Sequence, residues 1–144
     1  MYELVGPLSE LMQFPDKPGK LFLASIWGMS FPWTLSAAAV AGVIIMCLPT
    51  WFGVDIKTWA ADIGHLGGAL IVTVSVISMG EVIRIGRYFN ILLGLIVGLG
   101  PWFVSAGSTG YALTCSVLAV VAIGLSIPRG QITESYGEWD RYVR

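Results

Sequence analysis

The sequence predicts an all-α integral membrane protein with four transmembrane helices, arranged as two repeated helical hairpins. Three observations predict it. The 144-residue chain is 56% hydrophobic and only 12% charged, about half the charged share of an average soluble domain. Four apolar runs approach or reach the roughly 20 residues that an α-helix needs to cross a hydrocarbon core about 30 Å thick. Seven of the eight Lys and Arg fall on one side of those runs, with only Lys57 on the other.

The same composition excludes several classes. A net charge of −1 offers no concentrated basic surface for phosphate, so nucleic acid is not an expected partner. The apolar fraction is too high for a disordered chain. Cys47 and Cys115 are dispersed and form no CxxC. With a single histidine, they suggest neither a disulfide framework nor a zinc site. Met1 to Asp16 carries Glu3 and Glu10 but no Lys or Arg, unlike the positive start of a secretory signal, so this segment reads as retained.

Taken in order, residues 1–30 read as a cytoplasmic or interfacial segment. Leu4, Leu8, Leu11 and Met12 lie at helical spacing opposite Glu3, Glu10 and Gln13, which suits a helix lying on the membrane or on a partner protein. "LFLASIWGMS" at 21–30 is apolar but too short to span; it either lies in the interface or extends the first helix. Span one is expected from about Pro32 to Leu48, with Ser30 as cap and Pro32 in the first turn. Span two runs from about Trp59 to Gly80, span three from Tyr88 to Val104 and span four from Ser108 to Ile127. Pro49, Pro101 and Pro128 are expected to end helices, because proline cannot continue the hydrogen-bond ladder. The transmembrane domain thus covers 31–130, and 131–144 forms a cytoplasmic tail. That tail holds Tyr136, Trp139 and Tyr142, and either lies at the interface or packs on a partner. The bias of Lys and Arg places both termini and the Gly80–Arg87 turn in the cytoplasm. The expected location is the bacterial inner (cytoplasmic) membrane.

An internal repeat is visible when Trp51 is aligned with Trp102. "MCLPTWFGVD" at 46–55 and "GLGPWFVSAG" at 98–107 each end an apolar run with a proline, a tryptophan and a phenylalanine. The units are about 34–83 and 87–130, and both start from the cytoplasmic side, so the repeat is parallel. Pro49, Trp51, Pro101 and Trp102 are expected to anchor two corners at the outer interface, a depth that suits the amphipathic indole. A pseudo-two-fold axis near the membrane normal should relate the hairpins. The extra Thr50 and the Gly53–Thr58 link should make the first corner protrude further. Asp55, Lys57, Asp62 and His65 then share the outer face.

These corners resemble the SPW-repeat family of small membrane proteins, in which each repeat is a helix pair bearing a Ser-Pro-Trp motif. The second unit has Gly100 where that family usually has Ser. The first inserts Thr50 between Pro49 and Trp51, and "SFPW" at 30–33 begins a helix instead of ending one. The resemblance implies the hairpin topology and an accessory membrane module, and no particular activity.

Candidate sites are few. His65 follows Asp62 by three positions and shares its helix face. The pair reads either as an interfacial hydrogen bond tying span two to a neighbour, or as a site for haem, a chlorophyll-type pigment or a quinone. Gly64 and Gly68 on span two and Gly94 and Gly98 on span three form two GxxxG patterns, which read as close helix packing; the alternative is a ligand packed against them. Ala38 and Gly42, and Ser108, Ala112 and Ser116, continue the theme on the other spans. Spans one, three and four carry no central charge, which disfavours an ion-coupled carrier. No triad, carboxylate pair or phosphate loop is recognisable, and "GSTG" at 107–110 lacks the Walker lysine. The chain is therefore expected to be a non-catalytic subunit or scaffold in the lipid bilayer, assembled with other membrane subunits or as a homo-oligomer. An electron-transfer module using His65 and a small dimeric transporter are the alternatives.

Overall fold

The computed structural model describes residues 31–104 and 108–128. Four α-helices carry the fold: α1 (Trp33–Trp51), α2 (Trp59–Ile77), α3 (Phe89–Phe103) and α4 (Thr109–Ser126). A 3-10 turn, Arg84–Tyr88, leads into α3. Four stretches are long and apolar enough to cross a membrane: α1, α2, the 3-10 turn with α3, and α4. The protein is thus all-helical and fits an integral membrane bundle. The expectations for 1–30, including a Ser30 cap, and for the tail at 131–144 lie outside the described residues.

Each helix start has a local cause. Thr58 and Ser108, both extended, accept hydrogen bonds on their side chains from Ala61 N and Tyr111 N and so cap α2 and α4. Pro32 stands just outside α1 as its N-cap, not in the first turn, and its carbonyl accepts Leu35 N–H, Ser36 N–H and Ser36 Oγ–H. Pro128 lies beyond the end of α4 as expected, but the other two prolines do not end their helices. Pro49 lies inside α1 and Pro101 inside α3, each two residues before the last helical residue. A proline removes one donor and its ring crowds the carbonyl four residues back, yet each helix continues for two residues beyond it. Gly53 stops α1 instead. With φ +62° it adopts the left-handed conformation, Val54 N–H bonds Pro49 O at 2.8 Å and Gly53 N–H bonds Thr50 O at 3.2 Å. That pair of bonds is a Schellman motif, sealed by buried Val54 in the cluster around Leu48.

The packing is inverted relative to a soluble protein. Alanines are frequent in the interior, where Ala38, Ala41, Ala60, Ala61, Ala119 and Ala122 are buried beside Leu35, Ile45, Ile71, Val97 and Tyr111, while Val40, Leu66, Leu92, Leu95, Leu99 and Val120 face outward. Outward Leu and Val are stable only against hydrocarbon or protein, and small interior residues let backbones approach closely. A Cβ on Gly68 would stand 2.6 Å from Gly42 O and Met46 N, and one on Gly94 would stand 2.5 Å from Ile123 Cγ1. One on Gly98 would meet Ala119 Cβ at 3.1 Å, and one on Gly64 would meet Pro49 Cγ and Tyr111 OH, each at 2.6 Å. All four GxxxG glycines therefore lie in helix contacts.

Consecutive helices pack side by side, and α4 closes the ring against α1. Gly42 opposes Gly68 while Met46 opposes His65, so α1 and α2 run antiparallel. The same reasoning makes α3 and α4 antiparallel, from Gly94 against Ile123 and Gly98 against Ser116.

Part of the packing recurs in the two hairpins. In α2 and α4 the equivalent residues lie 51 apart. Gly68 on Gly42 and Met46 in the first hairpin becomes Ala119 on Gly94 and Gly98 in the second. Two equivalent pairs meet each other: Tyr111 OH donates to Ala60 O at 2.7 Å, and Ser75 and Ser126 share one asparagine. Both links join positions 51 apart on α2 and α4, the arrangement that the expected pseudo-two-fold axis would produce. Trp51 and Trp102 stand at the same end of the bundle.

Candidate functional site

The candidate site is best built from the polar side chains that cross helix interfaces. Pro49 and Pro101 deprive Ile45 O and Val97 O of their usual helical donors. One residue further along, each hairpin supplies a side-chain donor. His65 Nδ1 bonds Met46 O at 2.8 Å, and Ser116 Oγ–H reaches Gly98 O at 2.8 Å, within reach of Ala112 O at 2.9 Å as well. His65 and Ser116 are repeat counterparts, as are Met46 and Gly98. The histidine thus occupies a position whose counterpart is plainly a helix tie.

His65 and Asp62 do not form the expected pair. His65 turns to α1, whereas Asp62 is exposed on the side of α2 that faces α3. Nearly one turn of helix separates their Cα atoms, but the side chains diverge, the imidazole taking the Met46 carbonyl as its partner. Because a carbonyl only accepts, Nδ1 carries the hydrogen in neutral His65 and Nε2 keeps its lone pair. No group of three or more His, Cys, Asp or Glu among the described residues could hold a metal ion. A cofactor on His65 would have one protein ligand from this chain.

The tryptophans differ. Trp102 Nε1–H donates to Ser116 Oγ at 2.9 Å, so its indole is partly tied into the bundle. Trp51, 67% exposed, projects outward. Next to it, Lys57 N–H bonds Asp55 Oδ1 at 3.0 Å and Thr58 Oγ1–H bonds Asp55 O at 2.6 Å, which fixes the corner before α2. Cys47 and Cys115 are both free thiols.

A polar cluster at the opposite end was not anticipated from the sequence. Asn90, fully buried, donates Nδ2–H to Ser75 Oγ at 2.9 Å and to Ser126 Oγ at 3.0 Å. Ser126 passes its own hydrogen to Ala122 O. Asn90 is the repeat counterpart of Ala38, so one asparagine serves both hairpins. The 51-residue spacing of Ser75 and Ser126 was the available signal. Below it, Glu81, Arg84 and Arg87 are buried too, although charges between two spans read as exposed. Arg87 Nη1–H bonds Pro128 O at 2.8 Å, Nη2–H bonds Tyr88 OH at 3.3 Å, and the guanidinium stacks 4.9 Å from the Tyr88 ring centroid. Arg84 Nη2–H reaches Met79 O at 3.4 Å. The Arg87–Pro128 bond fastens the α2–α3 turn to the residues after α4, and the others brace the turn itself.

No family model, curated protein or solved structure matches the chain.

Proposed function

We propose that the protein is a non-catalytic membrane subunit, a scaffold that assembles with other membrane polypeptides or with itself, as its resemblance to SPW-repeat proteins implies. In this reading both termini and the α2–α3 turn face the cytoplasm of a bacterial cell. The observation that carries it is the use made of the polar side chains. Asn90, Trp102, Tyr111, Ser116 and His65 direct hydrogen bonds at neighbouring helices, while the outward faces are apolar. Catalysis and transport need groups aimed at a substrate; assembly needs a rigid frame with apolar sides. Purification from native membranes in mild detergent tests this. A second polypeptide at fixed stoichiometry, or a defined homo-oligomer, is expected. A solitary monomer defeats the proposal.

One observation favours a second reading, an electron-transfer module with haem, a pigment or a quinone. Ligating imidazoles are commonly held by an N–H bond from the other ring nitrogen to a carbonyl or carboxylate, and His65 has that bond. A Soret or chlorophyll band in the purified protein, lost in His65→Ala, would replace the scaffold reading.

A further inference from the structure

The α2–α3 and α1–α4 seams are counterparts under the repeat, yet they present different surfaces. Between α2 and α3 an outward groove of about 230 Å³ runs from Trp59 and Asp62 past Leu66 to Leu70, flanked on α3 by Leu93 and Ile96. Its floor is Gly67 against Val97, where an added Cβ would collide with Val97 Cγ2. In the other seam the counterpart of Gly67 is Leu118, which packs on both core clusters. The counterparts of Trp59 and Asp62 are Gly110 and Leu113. Only one of the two seams therefore combines an apolar channel with an aromatic and a carboxylate at its mouth.

The shape of the groove suits a hydrocarbon chain. From Asp62 to Leu70 the channel is about 12 Å long at 1.5 Å per residue, and its walls between those ends are the apolar side chains of Leu66, Leu70, Leu93 and Ile96. The mouth selects the headgroup. Asp62 is exposed, and its carboxylate takes no hydrogen bond or ion pair within the described residues. Trp59, 75% exposed, lies one turn away on the same side. A carboxylate accepts ammonium N–H donors, and an indole face attracts a cation. The carboxylate also repels a purely anionic headgroup.

We infer that the α2–α3 groove binds one zwitterionic phospholipid per chain. An acyl chain lies along Leu66, Gly67 and Leu70, and an ammonium headgroup is held by Asp62 and Trp59. The site is a property of the chain alone, so its test is independent of whether the protein is a subunit of something larger.

The full-length protein in mild detergent would be mixed with equal amounts of phosphatidylethanolamine and phosphatidylglycerol and examined by native mass spectrometry. One phosphatidylethanolamine per chain is expected, retained at least tenfold over phosphatidylglycerol. Asp62→Asn should erase that preference, and Leu70→Trp, which narrows the channel from outside the core, should remove both lipids. Asp62 and Leu70 both face outward, so circular dichroism of either variant should match the parent. Equal retention of the two lipids by the parent, or an Asp62→Asn variant that keeps the preference, overturns the inference. So does a dimer that excludes lipid from the groove, which would assign the seam to a second copy.

Discussion

Asn90 offers a direct test of the pseudo-two-fold axis. Its amide spans Ser75 and Ser126, which are equivalent residues of the two hairpins, and its own counterpart is Ala38, buried at 0% exposure. If the axis runs between the two serines, an asparagine at 38 approaches them from the opposite side in equivalent geometry. Asn90→Ala removes two interhelical hydrogen bonds of 2.9 and 3.0 Å. Such bonds average about 0.6 kcal/mol each within membrane bundles, so their loss comes to about 1.2 kcal/mol. The small cavity adds to that loss, and removing Oδ1, which has no partner, offsets part of it. The informative quantity is therefore the difference between Asn90→Ala and the exchanged pair Ala38→Asn with Asn90→Ala. The exchange should recover about 1 kcal/mol, a five- to tenfold shift in the unfolding equilibrium. Unfolding by sodium dodecyl sulfate in mixed micelles, followed by circular dichroism, measures it. The recovery should vanish when both serines become alanine. An exchanged protein less stable than Asn90→Ala, or a recovery that survives without the serines, would refute the symmetry.

Three further outcomes are expected. Gly68→Ala should destabilise by about 1–3 kcal/mol, because its neighbours at 2.6 Å are backbone atoms that cannot turn away; Gly124→Ala, with nothing within 4 Å, should be neutral or stabilising by up to about 1 kcal/mol through helix propensity. The same denaturant titration reads both. Ser116→Ala should cost about 0.6–1.7 kcal/mol, and His65→Ala a similar amount plus its lost packing; thermal melts in detergent distinguish this from a His65 variant that changes only an absorption spectrum. Single cysteines at Lys57 and Ile83, in a background with Cys47 and Cys115 replaced by alanine, should react with an impermeant maleimide from opposite sides of the membrane, and labelling of both from the same side would rule out the topology.

The four helices were legible because length and apolarity carry most of the signal for a membrane span, and the bounds agree to within three residues at each end. The glycine contacts were legible for the same reason: Gly64, Gly68, Gly94 and Gly98 mark ridges at helical spacing. The prolines misled. Pro49 and Pro101 look like stops, but a proline in the final turn forfeits one donor and leaves the helix to be ended by Gly53 and its Schellman bonds. The direction of His65 was not legible, since helical spacing fixes which residues share a face and not which of two nearby acceptors a ring will choose. Arg84 and Arg87 misled in another way. A count of basic residues treats them as solvated charges, whereas backbone carbonyls and a tyrosine provide acceptors that let the turn fold inward.

Where the two hairpins agree, they describe a frame; several of their differences gather on α2. Gly42 with Gly68 and Gly94 with Ala119 repeat the same close crossing, and Ser75 and Ser126 occupy the same place on either side of the axis. The departures at His65, Asp62, Gly67 and Trp59 all fall on α2, where α4 has Ser116, Leu113, Leu118 and Gly110. A helix that merely held the bundle together could have kept the pattern of α4, which satisfies Gly98 O with a serine and closes its seam with a leucine. On α2 the serine's task is done by an imidazole, whose second nitrogen has no counterpart in Ser116. Its seam carries an outward groove above the Gly67–Val97 contact, and its exposed carboxylate requires a polar or cationic neighbour wherever the corner meets the membrane. Of these changes, Gly67 fits the close contact with Val97 and His65 ties α2 to α1, whereas Trp59 and Asp62 remain exposed. They are the positions at which the surroundings of this protein, lipid or polypeptide, should be sought first.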